Sequence, residues 1–147
     1  LDIISQVRIQ VKDNITMYDF VKERSLVQEL KELIDSIKFE QNDTCKVVVG
    51  TSSVKVIIVK ANKVVLKAMA KKFKLNKEYT QISELSLMFP EKAVQTKGII
   101  SFITRELHNN DILITELLTA TPELLIYVEE PYVLKAYEIM KGFQKVI

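Results

Sequence analysis

The sequence contains few of the residues from which disulfides, metal sites and tight turns are built. Among 147 residues there are one cysteine, one histidine, three glycines, three prolines and no tryptophan. A single cysteine, Cys45, excludes an internal disulfide framework and fits a reducing compartment. Nearly half of the residues are apolar, so the chain is long enough to bury a core without such cross-links. We therefore expect a cytoplasmic globular protein.

Long hydrophobic segments are also missing. The apolar runs, such as residues 56–59, are far shorter than the roughly 20 residues with which a helix spans a bilayer. The first 13 residues lack the basic start and the apolar centre of a secretory signal. We expect no membrane association. The sequence begins with leucine rather than methionine, which leaves room for a preceding segment.

No sequence motif of catalysis or metal binding occurs. The chain has no G-x-S-x-G nucleophile motif, no phosphate-binding glycine loop, no H-E-x-x-H zinc motif and no spaced pair of cysteines. The lone His108 has no clustered partner, and Glu84, Glu116 and Glu123 are scattered over predicted strands and turns, as is typical of exposed residues. We therefore predict a protein that is not an enzyme and that has no metal or cofactor.

Charge is unevenly distributed along the chain. Residues 1–78 hold 15 Lys and Arg against 10 Asp and Glu, and residues 79–147 hold 6 against 9. A basic half could contact nucleic acid. Its lysines are interspersed with acids, however, which is more typical of a solvated surface. An RNA-binding sheet would also need aromatic residues on its central strands, and residues 47–49 and 56–59 are aliphatic.

The first half of the chain predicts strands and helices in an alternating order. Asp13 and Asn14 have good turn chemistry and predict a hairpin between the first two strands. Ser25 and Gln28 have the spacing of a capping box at a helix start. The predicted elements are strands 7–11 and 15–21, a helix with inner residues Leu26, Leu30, Leu33, Ile34 and Ile37, strands 44–49 and 54–60, and a helix with inner residues Val65, Ala68, Met69 and Phe73.

The second half repeats this order after a polar connector, residues 74–79. The predicted elements are strand 80–89, a helix over 98–108 with inner residues Ile99, Phe102, Ile103 and Leu107, strands 111–117 and 123–128, and a helix from Pro131 with inner residues Val133, Ala136, Tyr137 and Met140.

An internal repeat supports two related units. The halves align without a gap at an offset of 68, which places Asn42-Asp43 on Asn110-Asp111, Thr51 on Thr119, and Val65-Leu66-Lys67-Ala68 on Val133-Leu134-Lys135-Ala136. We predict an α+β protein of two tandem ferredoxin-like βαββαβ units, residues 1–76 and 77–147, each with an antiparallel sheet and helices on one face. Each unit lacks one strand. The N-terminal strand, the tail 144–147, or sharing between units would each supply it.

The second unit resembles an ACT domain, most closely those that regulate aspartokinases. The likeness covers residues 80–143 and extends more weakly to 15–73. It is carried by Thr96-Lys97-Gly98-Ile99-Ile100, by Asn109-Asn110-Asp111-Ile112-Leu113-Ile114, by residues 118–128 (LTATPELLIYV), and by Val133-Leu134-Lys135-Ala136-Tyr137-Glu138.

This resemblance implies a regulatory protein that senses an amino acid or a similar small ligand, commonly as a homodimer. It nominates as ligand-binding residues Gln95, Thr96, Lys97, Gly98, Ile99, Asp111, Ile112 and Leu113. The chemistry is consistent, because free N–H groups at a helix start attract a carboxylate and a glycine lets the ligand approach the backbone. Gly98 also fits a simple tight helix entry, and Asp111 a turn role.

Two departures from the family pattern are present. Lys97 stands where many members have proline, and Arg24-Ser25-Leu26 replaces the glycine at the helix start of the first unit. If only one unit binds a ligand, we expect it to be the second. The alternative function is the C-terminal effector-binding part of a transcriptional regulator whose DNA-binding segment lies before residue 1.

Overall fold

The computed structural model describes residues 2–36, 45–59 and 63–144. The predicted α+β composition is confirmed. The helices are α1 (Asp2–Ser5), α2 (Arg24–Ser36), α3 (Lys63–Lys72), α4 (Ile99–Asn109) and α5 (Val133–Gln144), and the strands are β1 (Arg8–Val21), β2 (Cys45–Val49), β3 (Ser53–Val59), β4 (Leu75–Met88), β5 (Glu116–Ala120) and β6 (Glu123–Glu129). Short 3-10 helices cover Glu91–Gln95 and Glu130–Tyr132.

The chain forms two compact units. The inner unit is Asn14–Gln81, and the outer unit combines Leu1–Asp13 with Ile82–Ile147. This division differs from the predicted bounds 1–76 and 77–147, because the N-terminal residues group with the C-terminal part of the chain. The predicted connector 74–79 lies mostly in β4. Polar residues such as Lys77 and Glu78 occupy exposed positions of a strand, and composition does not distinguish these from a loop.

Each unit has the ferredoxin-like strand order. The hydrogen-bonded order is β2-β3-β1-β4-β6-β5. The inner unit therefore has β2-β3-β1-β4, and the outer unit has β1-β4-β6-β5. Both β1 and β4 contribute one half to each unit, so residues 8–13 supply the fourth strand of the outer unit. Of the three sources considered, the N-terminal strand supplies the fourth strand of the outer unit, and sharing of β1 and β4 between the units is also observed. Gln144 ends α5, and 145–147 lie outside the described residues.

The predicted hairpin between residues 11 and 15 is wrong, because β1 runs without interruption through Asp13 and Asn14. Asn14 has φ 58° and Gln81 in β4 has φ 56°. A single left-handed residue is compatible with a strand that continues instead of reversing. Asn14 is therefore left-handed, as its turn chemistry favours, but it lies within a continuous strand and is the first residue of the inner unit.

Separate hydrophobic cores lie in the two units. Leu26, Leu30 and Leu33 of α2 are buried in the inner core, as predicted; Ile37 lies outside the described residues. The capping box is not observed, because α2 starts at Arg24 and the Ser25 hydroxyl donates to Glu23. In the outer core, Ile99, Ile103 and Leu107 pack as predicted, joined by Ile4 and Val7 near the N-terminus.

The structure corrects the alignment of the internal repeat. Lys46 pairs with Ile57, and Glu116 pairs with Tyr127, so the inner and outer hairpins correspond at an offset of 70. The buried residues of α3 and α5 correspond at 67, since Leu66, Met69 and Phe73 match Val133, Ala136 and Met140. The predicted offset of 68 therefore fits neither the hairpins nor the helices. Residues 42–43, which it aligned with 110–111, lie outside the described residues.

A consequence of this shift is that the two Val-Leu-Lys-Ala segments use different faces. Leu66 is fully buried and Val65 is 49% exposed, whereas Val133 is 6% exposed and Leu134 is 73% exposed. The predicted inner face of α5 is confirmed for Val133. The predicted inner face of α3 is wrong for Val65 and Ala68, both exposed.

Candidate functional site

A long linker precedes α4 in the outer unit. It comprises residues 89–98, here called the outer linker, and contains the 3-10 helix Glu91–Gln95. Backbone hydrogen bonds from Ala93 N to Pro90 O (2.9 Å) and from Thr96 N to Ala93 O (3.0 Å) shape it. Phe89 N donates to Pro122 O at 3.2 Å, which places the linker beside the turn between β5 and β6. This turn, residues 120–123, is called the outer turn.

A cavity of about 270 Å³ lies between the outer linker and the outer turn. Its walls combine apolar side chains with three threonines and one carboxylate residue. The lining residues are Phe89, Ala93, Thr96, Gly98, Ile99, Ile100, Thr119, Thr121, Pro122, Glu123 and Leu124. The volume is below the roughly 300–1,000 Å³ typical of drug-sized ligands, so the cavity suits a molecule of about amino-acid size.

Gly98 is the N-cap of α4 and lines this cavity. Its φ of 87° lies in the left-handed region, where a side chain costs roughly 1–2 kcal/mol. No side chain caps the helix, and the hydrogen bond from Phe102 N to Gly98 O is the first of the helix. The N–H groups of the first turn are therefore available to an anionic group such as a carboxylate. A Cβ on Gly98 would meet no atom within 4 Å, so the glycine is required by backbone conformation and not by space.

The structure brings together only part of the predicted site. Thr96, Gly98 and Ile99 line the cavity, while Gln95 and Lys97 are exposed in the linker and do not. Asp111, Ile112 and Leu113 lie at the other end of α4. Asp111 is exposed, Ile112 is buried in the outer core, and Leu113 is 72% exposed. None of these three lines the cavity.

Asp111 has a structural role at the end of α4. Its φ is 59°, and its N–H donates to His108 O at 3.0 Å, while Ile112 N donates to Leu107 O at 3.0 Å. These two hydrogen bonds and the left-handed residue define a Schellman motif. Ile112 and Leu107 are both buried in the outer core, which supplies the hydrophobic contact of that motif. The geometry matches the turn role that was the alternative interpretation of Asp111.

Replacing Asp111 with glycine should stabilise the protein. Glycine adopts the left-handed conformation without the steric cost of a Cβ, so we expect the free energy of unfolding to rise by about 0.5–1 kcal/mol. Asp111→Val should lower it by about 1–2 kcal/mol, because a β-branched residue is strained there. Chemical denaturation followed by circular dichroism measures both changes. A lower stability of Asp111→Gly would show that the carboxylate makes a needed contact.

Several lining residues were not predicted as site residues. Phe89, Thr119, Thr121 and Glu123 reach the cavity because β4 lies beside β6, which brings the end of β4 next to the outer turn. Residues 118–128 carried part of the family resemblance, but strand adjacency was needed to place them at the site. Glu123 was predicted to be exposed. It is half-buried, and Ser86 Oγ donates to Glu123 Oε1 at 2.5 Å.

The connection at the equivalent position of the inner unit is much shorter. Only Lys22 and Glu23 separate β1 from α2, in place of the ten residues of the outer linker. Lys22 N donates to Ser52 O at 3.1 Å, and Lys22 Nζ donates to Gly50 O at 3.0 Å. These bonds join the strand end directly to the β2–β3 turn. The outer linker supplies Phe89, Ala93, Thr96 and Gly98 to the cavity, and the inner unit has no segment of comparable length at the equivalent position.

A buried tyrosine lies in the sheet of each unit. Tyr127 Oη donates to Glu84 Oε2 at 2.6 Å, and Glu84 is only 2% exposed, so its predicted exposure is wrong. Burial, reinforced by the Glu84 carboxylate, raises the pKa of Tyr127 far above its ordinary value. In the inner unit, burial and then Glu78 raise the pKa of Tyr18 to about 12. Both groups therefore stay protonated and neutral in the folded protein at neutral pH.

Within residues 2–36, 45–59 and 63–144, no group of three or more His, Cys, Asp or Glu side chains is placed to hold a metal ion. In the same part of the chain, no helix has the length and the apolar character needed to cross a membrane.

The fold is shared with regulatory parts of aspartate kinases. The structure is similar to Clostridium acetobutylicum aspartate kinase, with a TM-score of 0.74 and 15% identity over 93% of this chain and 34% of that chain. For the regulatory subunit of aspartate kinase from Thermus thermophilus the TM-score is 0.65, with 9% identity over 91% and 95% of the two chains. For E. coli aspartokinase III in complex with lysine and aspartate it is 0.60, with 10% identity over 92% and 31%.

These similarities confirm the predicted resemblance at the level of the fold. The chain spans about a third of the length of the two kinases and nearly all of the regulatory subunit. No protein-family model and no curated protein matches the sequence.

Proposed function

We propose that this chain is a non-catalytic regulatory module that binds an amino acid, or a similar small molecule, in the outer-unit cavity. The observation that carries the proposal is the cavity itself, which lies at the start of α4 beside the long outer linker, a segment that the inner unit lacks at the equivalent position. Binding in one unit only was expected from the glycine at position 98. Ligand binding would alter an attached or partner activity by favouring one arrangement of the protein over another.

The cavity has the groups that an amino acid requires. The free N–H groups at the start of α4, opened by Gly98, would bind the carboxylate. Phe89, Ile99 and Leu124 would contact an apolar side chain, and threonine hydroxyls would contribute hydrogen bonds. The fold supports the same function, since E. coli aspartokinase III has been observed with lysine and aspartate bound.

A homodimer is part of the proposal. β2 and β5 end the strand order, and unpaired strand edges tend to be covered by self-association. A cytoplasmic location is also a prediction. Analytical ultracentrifugation should give a dimer mass in solution.

Thermal unfolding with each common L-amino acid tests the function. A ligand at about 100 times its Kd adds about 2.7 kcal/mol to the free energy of unfolding, which should raise Tm by several degrees. Ile100→Trp should abolish this increase, because Ile100 lines the cavity and a larger side chain would fill it. The matched control is Leu134→Trp, since Leu134 is likewise an exposed apolar residue at the second position of a helix, away from the cavity.

Each shift in Tm is measured against the same variant without ligand, so a change in intrinsic stability cancels. An equal ligand-induced shift in both variants would place binding outside the cavity. Absence of a shift with every amino acid, together with retardation of DNA in a gel, would favour the effector-binding part of a transcriptional regulator instead.

A further inference from the structure

The inner unit has a strand edge that is exposed to solvent. In the strand order β4 lies between β1 and β6, but β6 pairs with residues 82–88. Residues 75–81 belong to the inner unit and follow the point where Val21 N of β1 donates to Lys74 O at 2.9 Å. Among the described residues, no strand pairs with their other side. Five of these seven residues are exposed, so the edge can accept a further strand.

Helix α3 lies beside this edge. Because α2 connects β1 to β2 and α3 connects β3 to β4, right-handed crossovers place α3 on the β4 side of the unit. The ion pair between Lys72 and Glu29 of α2 marks the flank of α3 that faces α2. At about 100° per residue, Lys67 and Lys71 lie on the other flank of the helix, which faces the edge.

Positive charge is concentrated here. Residues 63–77 contain six lysines and no aspartate or glutamate. Lys67, Lys71 and Lys74 are exposed, and none of them has an ion-pair partner among the described residues. These three ammonium groups are therefore available to an anionic partner.

The edge strand carries a cation on the face that bears α3. Leu75 packs against the inner core, which the helices cover, so the alternation of a strand places Lys77 and Tyr79 on that face as well. Lys77 Nζ lies 4.5 Å from the centre of the Tyr79 ring. Glu78 is the one acidic residue within 63–81. Residues 67, 71, 74 and 75–81 thus form one surface, here called the basic edge.

We propose that the basic edge binds an extended acidic segment of a partner protein, which adds to β4 as a further strand. Backbone N–H and C=O groups of residues 75–81 would form the hydrogen-bonded ladder. Carboxylates at alternate positions of the segment would face Lys77, Lys67 and Lys71. This interaction goes beyond ligand binding in the outer unit and does not depend on it.

The lysines also decide against a second copy of the same edge. Pairing two basic edges would place lysine against lysine, and like charges on neighbouring strands are destabilising. Lysine on an exposed edge commonly protects a protein from pairing with itself in this way. The same charge attracts an acidic strand, so protection and partner choice have one cause.

Nucleic acids and anionic membranes carry negative charge too, but they fit this surface less well. Neither has the array of N–H and C=O groups that pairs with a strand edge. A sheet that binds RNA presents several aromatic side chains, and the basic edge has Tyr79. Membrane-bound helices insert large apolar side chains, whereas the larger apolar residues exposed on α3 are Val64 and Val65.

Amide-resolved NMR of the whole chain with synthetic peptides tests strand addition. The acidic probe is Thr-Glu-Val-Glu-Val-Glu-Thr with blocked ends. One control peptide has lysine in place of each glutamate, and the other has proline in place of each valine, which keeps the charge and removes ladder donors. We expect saturable shifts at Lys77 and Tyr79, and slower hydrogen exchange within residues 75–81, with the acidic probe and not with the controls.

Charge-reversal variants locate the contact. Lys71→Glu and Lys77→Glu should each weaken binding of the acidic probe by about fivefold, because an attraction becomes a repulsion. The matched control is Lys31→Glu, which makes the same change in net charge at an exposed position of α2, on the flank away from Glu29 and α3. This variant should bind the probe as the parent does.

Several results would overturn the inference. They are the absence of a saturable shift within residues 75–81, equal binding of either control peptide, and an equal loss of binding in Lys31→Glu. Equal shifts with a short oligothymidylate, or with phosphatidylserine vesicles, would also overturn it, because negative charge alone would then suffice. Ligand binding in the cavity is measured at other residues, such as Gly98 and Thr121, so the two proposals can fail separately.

Discussion

Leu66→Ala should lower the free energy of unfolding by about 2–5 kcal/mol, and the same change at Leu134 should alter it by less than about 0.5 kcal/mol. The two leucines occupy the same position of identical Val-Leu-Lys-Ala segments. Leu66 is fully buried in the inner core, so truncation leaves a cavity and removes apolar contacts. Leu134 is 73% exposed at the start of α5 and loses little.

The preceding valines should show the opposite order. Val133→Ala removes a side chain that is 6% exposed and should cost more than Val65→Ala, whose side chain is 49% exposed. Denaturant unfolding followed by circular dichroism measures all four variants. Equal losses at Leu66 and Leu134 would support the offset of 68 and contradict the helix faces described above. The four variants thus serve as each other's controls.

The free energy of unfolding should fall steeply above pH 10. A tyrosine in the unfolded chain loses its proton near pH 10, whereas the folded protein keeps the Tyr18 proton to a pKa of about 12 and the Tyr127 proton to higher pH. The stabilisation is fully present below pH 10 and is lost as pH rises. Each tyrosine should contribute a slope of about 1.4 kcal/mol per pH unit, and the Tyr18 contribution should end near pH 12.

Single phenylalanine variants assign these slopes. Tyr18→Phe and Tyr127→Phe should each remove one slope, while Tyr132→Phe, at a position that is 43% exposed, is the control. At neutral pH, Tyr127→Phe should cost about 1.5–3 kcal/mol, because the buried Glu84 carboxylate loses its donor. Tyr18→Phe should cost less than Tyr127→Phe, since Tyr18 Oη has no close hydrogen-bond partner among the described residues and Glu78 acts on it mainly through its charge. Urea titrations from pH 8 to about 11 would contradict the burial of both hydroxyls if all three variants matched the parent.

Local features of the fold could be predicted from the sequence. Apolar spacing gave the inner faces of α2, α4 and α5, and the glycine at position 98 marked the start of α4. Each of these depends on residues within a few turns of one another. The ferredoxin-like plan followed from the order of elements, which does not require knowing which strand pairs with which.

Features that depend on long-range pairing could not be predicted. Asp13 and Asn14 have turn chemistry, yet β1 continues through them, between its neighbours β3 and β4 in the strand order. Glu84 looked like an exposed strand residue, and its burial depends on the cross-strand partner Tyr127. The repeated Val-Leu-Lys-Ala segment also led to a wrong alignment. A helix can bury either its valine or its leucine, and the sequence of the segment does not say which.

The candidate site shows the same limit. The helix start at Gly98 was evident from the sequence, because a lone glycine before an apolar helical pattern is distinctive. The opposite wall of the cavity could not be predicted in this way. Thr121 and Glu123 lie more than twenty residues after Gly98 in the sequence and reach the cavity through the pairing of β4 with β6. Asp111 was nominated with Gly98, yet the length of α4 separates them.

The most direct measurement of ligand binding is an amide-resolved NMR titration of the whole chain with the common L-amino acids. We expect at least one amino acid to shift the signals of Thr96, Gly98, Thr121 and Glu123 in a saturable manner. The signals of Lys22 and Gly50, at the equivalent position of the inner unit, should not move. Saturable shifts at Lys22 and Gly50 alone, or no saturable shift with any amino acid, would contradict binding in the outer-unit cavity.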